Sequence, residues 1–167
     1  MSALTYTAYY PSPIGLLEVV TNNAAVLQVN FFKEGAEQKP SPVSEHPAVL
    51  HQCLTELEEY FSGKRKQFTV PLAPEGTPFQ LQVWATLQQI EFGKPISYLQ
   101  QSKKLGNAKA IRAMASANGK NPVVIIIPCH RVIGTDQSLV GFGGGLWRKK
   151  WLLEHEAKIG NGVITLF

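Results

Sequence analysis

The sequence predicts an α/β protein of the α+β type, with a small N-terminal antiparallel-sheet domain over residues 1–76 and a mostly helical C-terminal domain over residues 77–167. Three observations predict this. Short β-prone runs separated by turn residues fill the first third. Capped helical periodicities fill most of the rest. Between them lies a proline-rich stretch, Pro71–Pro78 (PLAPEGTP), at which the charge balance changes sign.

The elements follow in order. Tyr6–Tyr10, Leu16–Thr21 and Ala25–Phe32 read as strands, with Pro11–Gly15 and Asn22-Asn23 as turns between them. Glu34–Glu45 is a polar loop. Pro47–Phe61 is an amphipathic helix, since Val49, Leu50, Leu54, Leu57 and Tyr60 share a face and Gly63 stops it. Gln67–Leu72 reads as one more strand. Thr77 then caps a helix with Pro78 at its first position, running to about Ile90. Ser97 caps a short helix, Tyr98–Lys104. Leu105-Gly106-Asn107 makes a tight turn into a second helix, Ala108–Asn118, so the pair reads as a helix-turn-helix. Val123–Ile127 reads as a buried strand, and Trp147–Lys158 as the last helix.

Composition excludes several chemistries. Two cysteines, Cys53 and Cys129, allow neither a disulfide scaffold nor a cysteine-rich zinc module, and they suit a reducing compartment. Asp136 is the single aspartate, which argues against two-metal sites and calcium loops. No apolar run reaches the ~18 residues of a membrane span, and no secretory signal is visible. Residues 1–76 carry five Lys or Arg against eight Glu, whereas residues 77–167 carry eleven against four acids. That second, basic half points to a polyanion, nucleic acid first.

The second helix of the pair is bland for a reader of DNA: Ala108, Ala110, Ala113, Ala115 and Ala117 accompany a single Arg112. Base reading in the major groove needs Arg, Asn and Gln. Small side chains instead allow close approach to a narrow minor groove, although alanines packed on a neighbouring helix would look the same.

Pro128-Cys129-His130-Arg131 ends the apolar run and is the most informative stretch. Consecutive side chains of a regular strand point to opposite faces, so Cys129 and His130 can cooperate only on irregular backbone, which Pro128 favours. A lone buried cysteine is commonly structural. One beside a His and an Arg is a candidate nucleophile, because neighbouring cations favour the thiolate. Arg148, Lys149 and Lys150 in the first turn of the last helix oppose its dipole and suggest a phosphate contact.

IPCHRV (Ile127–Val132), with Asn121-Pro122 upstream and GGLWRKKWLLEHE (Gly144–Glu156) downstream, resembles the methylated-DNA–protein-cysteine methyltransferases, the 6-O-alkylguanine-DNA alkyltransferases. The likeness covers residues 77–158, including FQLQVW (Phe79–Trp84), Ile96-Ser-Tyr98 and KAIRA (Lys109–Ala113). It implies a ribonuclease-H-like N-terminal domain and a winged-helix-like C-terminal one. It further implies that Cys129 accepts the alkyl group in one in-line displacement, with His130 as base through a water and Glu156 orienting it. Asn121 would hold the tight turn of the site, and Tyr98 would give a proton toward the guanine. Arg112, with Ala113 beside it at the DNA, would fill the stack left by a flipped nucleotide. Backbone groups of Cys129, Val132 and Gly143 would hydrogen-bond the guanine edge, Phe142 would supply an aromatic wall, and Lys149 would contact the DNA.

The same resemblance implies irreversible repair of 6-O-alkylguanine, and of 4-O-alkylthymine, in double-stranded DNA. No cofactor, structural zinc or membrane partner is expected. The protein would act as a monomer in the cytoplasm, at the nucleoid in a bacterium or in the nucleus of a eukaryote. Phe142 stands where many relatives have Tyr, and Gly143 where some have Ser. Two other readings stay open on the residues: a non-catalytic binder of alkylated bases, and a Cys–His–Glu hydrolase with turnover.

Overall fold

A computed structural model describes residues 4–162, which part into two compact units. The first unit runs to Glu75 and also takes in Pro122–Val124; the second comprises Gly76–Asn121 and the chain from Ile125 onward.

In the first unit, β1 (Tyr6–Ser12), β2 (Gly15–Thr21) and β3 (Val26–Phe31) form an antiparallel sheet in that order. Ser12 pairs with Gly15 across a two-residue turn, where the positive φ of Gly15 (117°) is available to glycine. Leu17, Val19 and Val29 are fully buried, as alternation on one sheet face requires, and a register shift between Val20 and Thr21 brings Val26, also fully buried, opposite Thr21. Helix α1 (Ala48–Phe61) packs on the sheet through Leu50, Cys53 and Leu57, also fully buried. Each such leucine contributes about 1.5–3 kcal/mol, so the helix face and the sheet face hold each other.

Two expected strands do not form. In Gln67–Leu72, the N–H groups of Thr69 and Val70 donate to Glu56 Oε1 at 2.8 and 3.1 Å rather than to a strand. Leu72 alone bridges Val26 there. Within Val123–Ile127 only Val123 pairs, in parallel with Val29. The chain then turns at Ile125, whose φ of 73° lies in the left-handed region that a β-branched residue seldom enters. Burial of the apolar run is as expected, since Val123, Ile125 and Ile127 are fully buried, but its conformation is a turn.

The second unit starts with α2 (Pro78–Gln88), closed at its N-terminus by a capping box. Gln80 N–H donates to Thr77 Oγ1, and Thr77 N–H donates back to Gln80 Oε1. A short strand β4 (Ile96–Ser97) leads into α3 (Tyr98–Leu105), which carries a second capping box formed by Ser97 and Gln100. Gly106, at φ 82°, ends α3 in the left-handed conformation. The chain then makes one 3-10 turn, Ala108–Ala110, before α4 (Ile111–Gly119), so the second helix of the pair is α-helical three residues later than expected. Strand β5 (Val132–Ile133) pairs in parallel with β4, and α5 (Leu146–Asn161) closes the unit. Among the described residues no helix is long and apolar enough to cross a membrane.

Candidate active site

The site is built on a backbone irregularity. Cys129 N–H donates to Ile127 O at 2.9 Å around Pro128 (φ −84°, ψ 64°), an inverse γ-turn. A 3-10 turn, Cys129–Arg131, follows directly and replaces strand alternation with a tight curl. Asn121 braces this curl from the end of the α4 segment. Its Nδ2 donates to Ile127 O at 2.7 Å and to the Cys129 thiol at 3.3 Å.

His130 is fully buried, and its Nε2 lies 2.7 Å from Glu156 Oε2. Burial, helped by the charges of Arg131 and Lys149, pushes the imidazole below its ordinary range despite the carboxylate, so His130 is neutral. Burial would raise the Glu156 carboxyl, but the hydrogen bond from His130 and the charge and hydrogen bonds of Arg131 outweigh it and hold the group well below the usual carboxylate range. An ionised carboxylate only accepts hydrogen bonds. The neutral ring therefore carries its proton on Nε2 and donates it to Glu156, leaving a bare lone pair on Nδ1. That buried Nδ1 has no hydrogen-bond partner among the described residues.

Arg131 does not serve the thiol as its position in the motif suggests. Its guanidinium is turned to Glu156, with Nε at 2.8 Å from Oε1 and Nη2 at 3.0 Å from Oε2, and Nη1 donates to Ile90 O at 2.7 Å. Burial raises the Cys129 pKa, opposed by the Asn121 hydrogen bond, the charge of Lys149 and the cysteine's own N–H. The resting sulfur is thus a protonated thiol that needs a base, not the preformed thiolate that the neighbouring cations suggest.

Lys149 also departs from expectation. It is completely buried, donating from Nζ to Val140 O at 2.7 Å, and so cannot reach a phosphate from this position. Burial lowers its pKa to about 8, against the opposing pull of the Cys129 sulfur. The signal was present in the helical spacing. Lys149, Leu152, Leu153 and Glu156 recur at three- and four-residue intervals and share the buried face of α5. Of the basic first turn, Lys150 is exposed, and Arg148 donates to Gly144 O while its guanidinium lies over the Trp147 ring.

Tyr98 opens α3, and its hydroxyl donates to the same Val140 carbonyl at 3.2 Å. Burial, then the Cys129 sulfur, raises its pKa. Tyr98 and Lys149 thereby pin one end of the glycine-rich loop that contains Phe142, half-buried, and Gly143, exposed. Val132 is buried in β5, and its N–H is already used on Cys129 O. Arg112 and Ala113 lie exposed on the first turn of α4. The structure thus groups Cys129, His130, Glu156 and Asn121, ties Tyr98 and Lys149 to the loop, and leaves Arg112 and Ala113 on a surface. Among the described residues there is no group of three or more His, Cys, Asp or Glu side chains able to hold a metal ion.

Residues 78–158 match the DNA-binding domain of the 6-O-methylguanine DNA methyltransferase family, and residues 5–74 match the family's ribonuclease-like domain. The methylated-DNA–protein-cysteine methyltransferase of Haemophilus influenzae is 41% identical over 160 residues, which cover 93% of this chain and 88% of that protein. That of Methanosarcina acetivorans is 41% identical over 152 residues, covering 90% and 97%. Among solved structures, the O6-methylguanine methyltransferase of Mycobacterium tuberculosis superposes with a TM-score of 0.83 at 33% identity, covering 96% of this chain and 98% of that one. The Mycobacterium tuberculosis protein in complex with DNA gives 0.80 at 35% identity, covering 93% of each chain.

Proposed function

The chain belongs to the 6-O-methylguanine DNA methyltransferase family, and from that premise we propose that it repairs DNA by taking the alkyl group of 6-O-alkylguanine onto Cys129. In this reading residues 77–167 are the DNA-binding and alkyl-accepting domain and residues 1–76 a supporting one. The observation that carries the chemistry is the neutral His130, its Nε2–H tied to an ionised Glu156 and its Nδ1 bare, in the same turn as a protonated thiol. The thiol proton passes through a water to Nδ1. The sulfur attacks the alkyl carbon in line with the departing oxygen, so that the S–C bond forms as the C–O bond breaks. The bonding pair stays with the guanine, which takes a proton from the Tyr98 hydroxyl. The proton held on His130 balances the one that Tyr98 gives, and it returns through solvent. A thioether is not a leaving group under these conditions, so each molecule acts once.

A half-buried sulfur cannot meet a base inside the duplex stack, and the nucleotide must be flipped out. The small exposed side chains of α4, Ala113 among them, suit close docking in the minor groove, and Arg112 occupies the vacated stack. The base edge is read by the Cys129 and Val132 carbonyls and by the backbone of Gly143, with Phe142 as an aromatic wall. Alkylated 4-O-thymine enters the same site. Phosphate contacts come from exposed cations such as Lys150 and make affinity fall with salt. The protein acts as a monomer on alkylated duplex DNA, in the cytoplasm and without a cofactor.

Incubation with a duplex bearing one 6-O-methylguanine, followed by intact and peptide mass measurement, tests the reading. The expected result is one methyl gain per protein, on Cys129, absent in Cys129→Ser. An unmodified protein bound to an intact lesion would make it a lesion binder, and repeated turnover would make it a hydrolase.

A further inference from the structure

Helix α4 presents a packing problem that its composition poses and its buried groups answer. Its inward face offers Met114 and Ala117, and its other positions are mostly Ala, Ser and Gly. Small side chains interlock poorly, so apolar packing alone leaves such a helix free to slide or rotate on its neighbours. Against this, Gln101 of α3 and Asn118 of α4, both buried, form a reciprocal amide pair. Gln101 Nε2 donates to Asn118 Oδ1 at 2.9 Å, and Asn118 Nδ2 donates to Gln101 Oε1 at 2.7 Å. Gln101 Nε2 also donates to Thr86 Oγ1 of α2 at 3.2 Å, while that hydroxyl donates to Val83 O at 2.6 Å. Thr86 thus fixes the polarity of the pair: a flipped Gln101 amide would set an acceptor against an oxygen whose proton is already committed. Every one of these directional bonds fails on a shift of one residue, whereas alanine packing would tolerate it. Buried polar pairs specify register in this way at some cost in stability.

Gln101 lies one turn after Tyr98 on α3, and Asn118 closes the helix that Arg112 opens. We propose that the Gln101–Asn118 pair, oriented by Thr86, is the register pin of the helix-turn-helix, holding Arg112 in fixed relation to Tyr98 so that nucleotide extrusion and alkyl transfer act on the same base. Both are positioning residues. The inference rests on the reading of Arg112 given above.

Three variants decide it: Gln101→Leu/Asn118→Leu, which removes both partners; Gln101→Asn/Asn118→Gln, which exchanges them and keeps the summed side-chain length; and Arg112→Ala. Each is measured for thermal unfolding, for Cys129 alkylation by a free 6-O-alkylguanine base, and for repair of a 6-O-methylguanine duplex. The leucine pair is expected to fold and to react with the free base within about twofold of the parent, because replacing both partners leaves no orphaned group. Its repair of the duplex falls about tenfold or more, as small misplacements of reacting groups do. The exchanged pair recovers most of that loss. Should the leucine pair melt below the assay temperature, Gln101→Met/Asn118→Leu, which also removes both partners and keeps the length of the first side chain, carries the same comparison. Unchanged duplex repair, or equal loss on both substrates, overturns the pin. If Arg112→Ala slows duplex repair selectively and the leucine pair does not, the pin alone is wrong. If Arg112→Ala has no selective effect, the extrusion reading falls and takes this inference with it.

Discussion

In the first unit, Cys53 and Glu56 sit three residues apart on α1; in the second, Cys129 and Glu156 come from separate elements. Both glutamates are buried and both are held below the ordinary carboxylate range. Their partners differ in kind. Glu56 is satisfied by neutral donors, namely Gln52 Nε2, the N–H groups of Thr69 and Val70, and Thr69 Oγ1. None of those donors can take up a proton near neutral pH, and the carboxylate simply fastens an irregular segment to the helix. Glu156 is satisfied by Arg131 and by His130, whose ring carries a second nitrogen. A buried carboxylate becomes chemically useful when the group it holds has another working atom. The cysteines differ accordingly. Burial, then the Glu56 charge, pushes Cys53 up to about 12, whereas burial at Cys129 is opposed by Asn121 and Lys149.

Exchange of each glutamate for its amide should separate the two sites most strongly. In Glu156→Gln, the amide can donate to His130 Nε2 and move the ring proton to Nδ1, the wrong tautomer for a base. Single-turnover repair should fall by about 10²–10⁴. In Glu56→Gln the rate should hold within about twofold, since that site is remote from the chemistry in kind. Equal losses would erase the distinction.

A smaller effect separates the two sulfurs. Iodoacetamide labelling of the native protein should modify Cys129 and spare Cys53 until the chain unfolds. Lys149→Met should slow the labelling of Cys129 by roughly three- to tenfold, because a nearby cation favours the thiolate, and leave Cys53 unaffected. An unchanged rate at Cys129 would show that Lys149 only holds the loop.

The smallest effect is on stability against pH. The folded pKa of Glu56 lies below its unfolded value, so its contribution is present above about pH 4.5 and is lost as the pH falls through the folded value. Urea unfolding should find Glu56→Gln less stable by about 1–3 kcal/mol at pH 7. The difference should shrink below pH 4.5. A gap that stays constant with pH would mean that shape, not charge, makes the contribution.

Much of this was legible in the residues. The caps at Thr77 and Ser97, the stop at Gly106 and the periodicity of Leu50 and Leu57 are local signals, and the helices follow them. Pro128 correctly announced irregular backbone at Cys129. What failed was decided by partners distant in sequence. Thr69 and Val70 look like strand residues, yet their N–H groups go to a carboxylate thirteen and fourteen residues away. Val123–Ile127 has strand composition, but β-branched residues bury equally well in a turn. Arg131 was expected to act on the sulfur beside it, whereas its partner Glu156 lies 25 residues on. Lys149 counts as a surface cation by residue type, and only its place on the apolar face of α5 reveals otherwise.

The three residues Pro122–Val124 have a consequence for dissection of the molecule. Their backbone groups complete the hydrogen bonding of Val29 in β3, through Val29 N–H to Pro122 O at 3.0 Å and Val124 N–H to Val29 O at 2.9 Å. Asn121, which braces the thiol, immediately precedes them, and Ile125 returns the chain to the second unit. The second unit is therefore not a detachable cassette. Expressed from residue 77 onward, it would carry an apolar loop cut from its sheet, one bond away from the asparagine that braces the Cys129 thiol. A cut meant to separate the two units therefore has to leave residues 122–124 with the strand they complete.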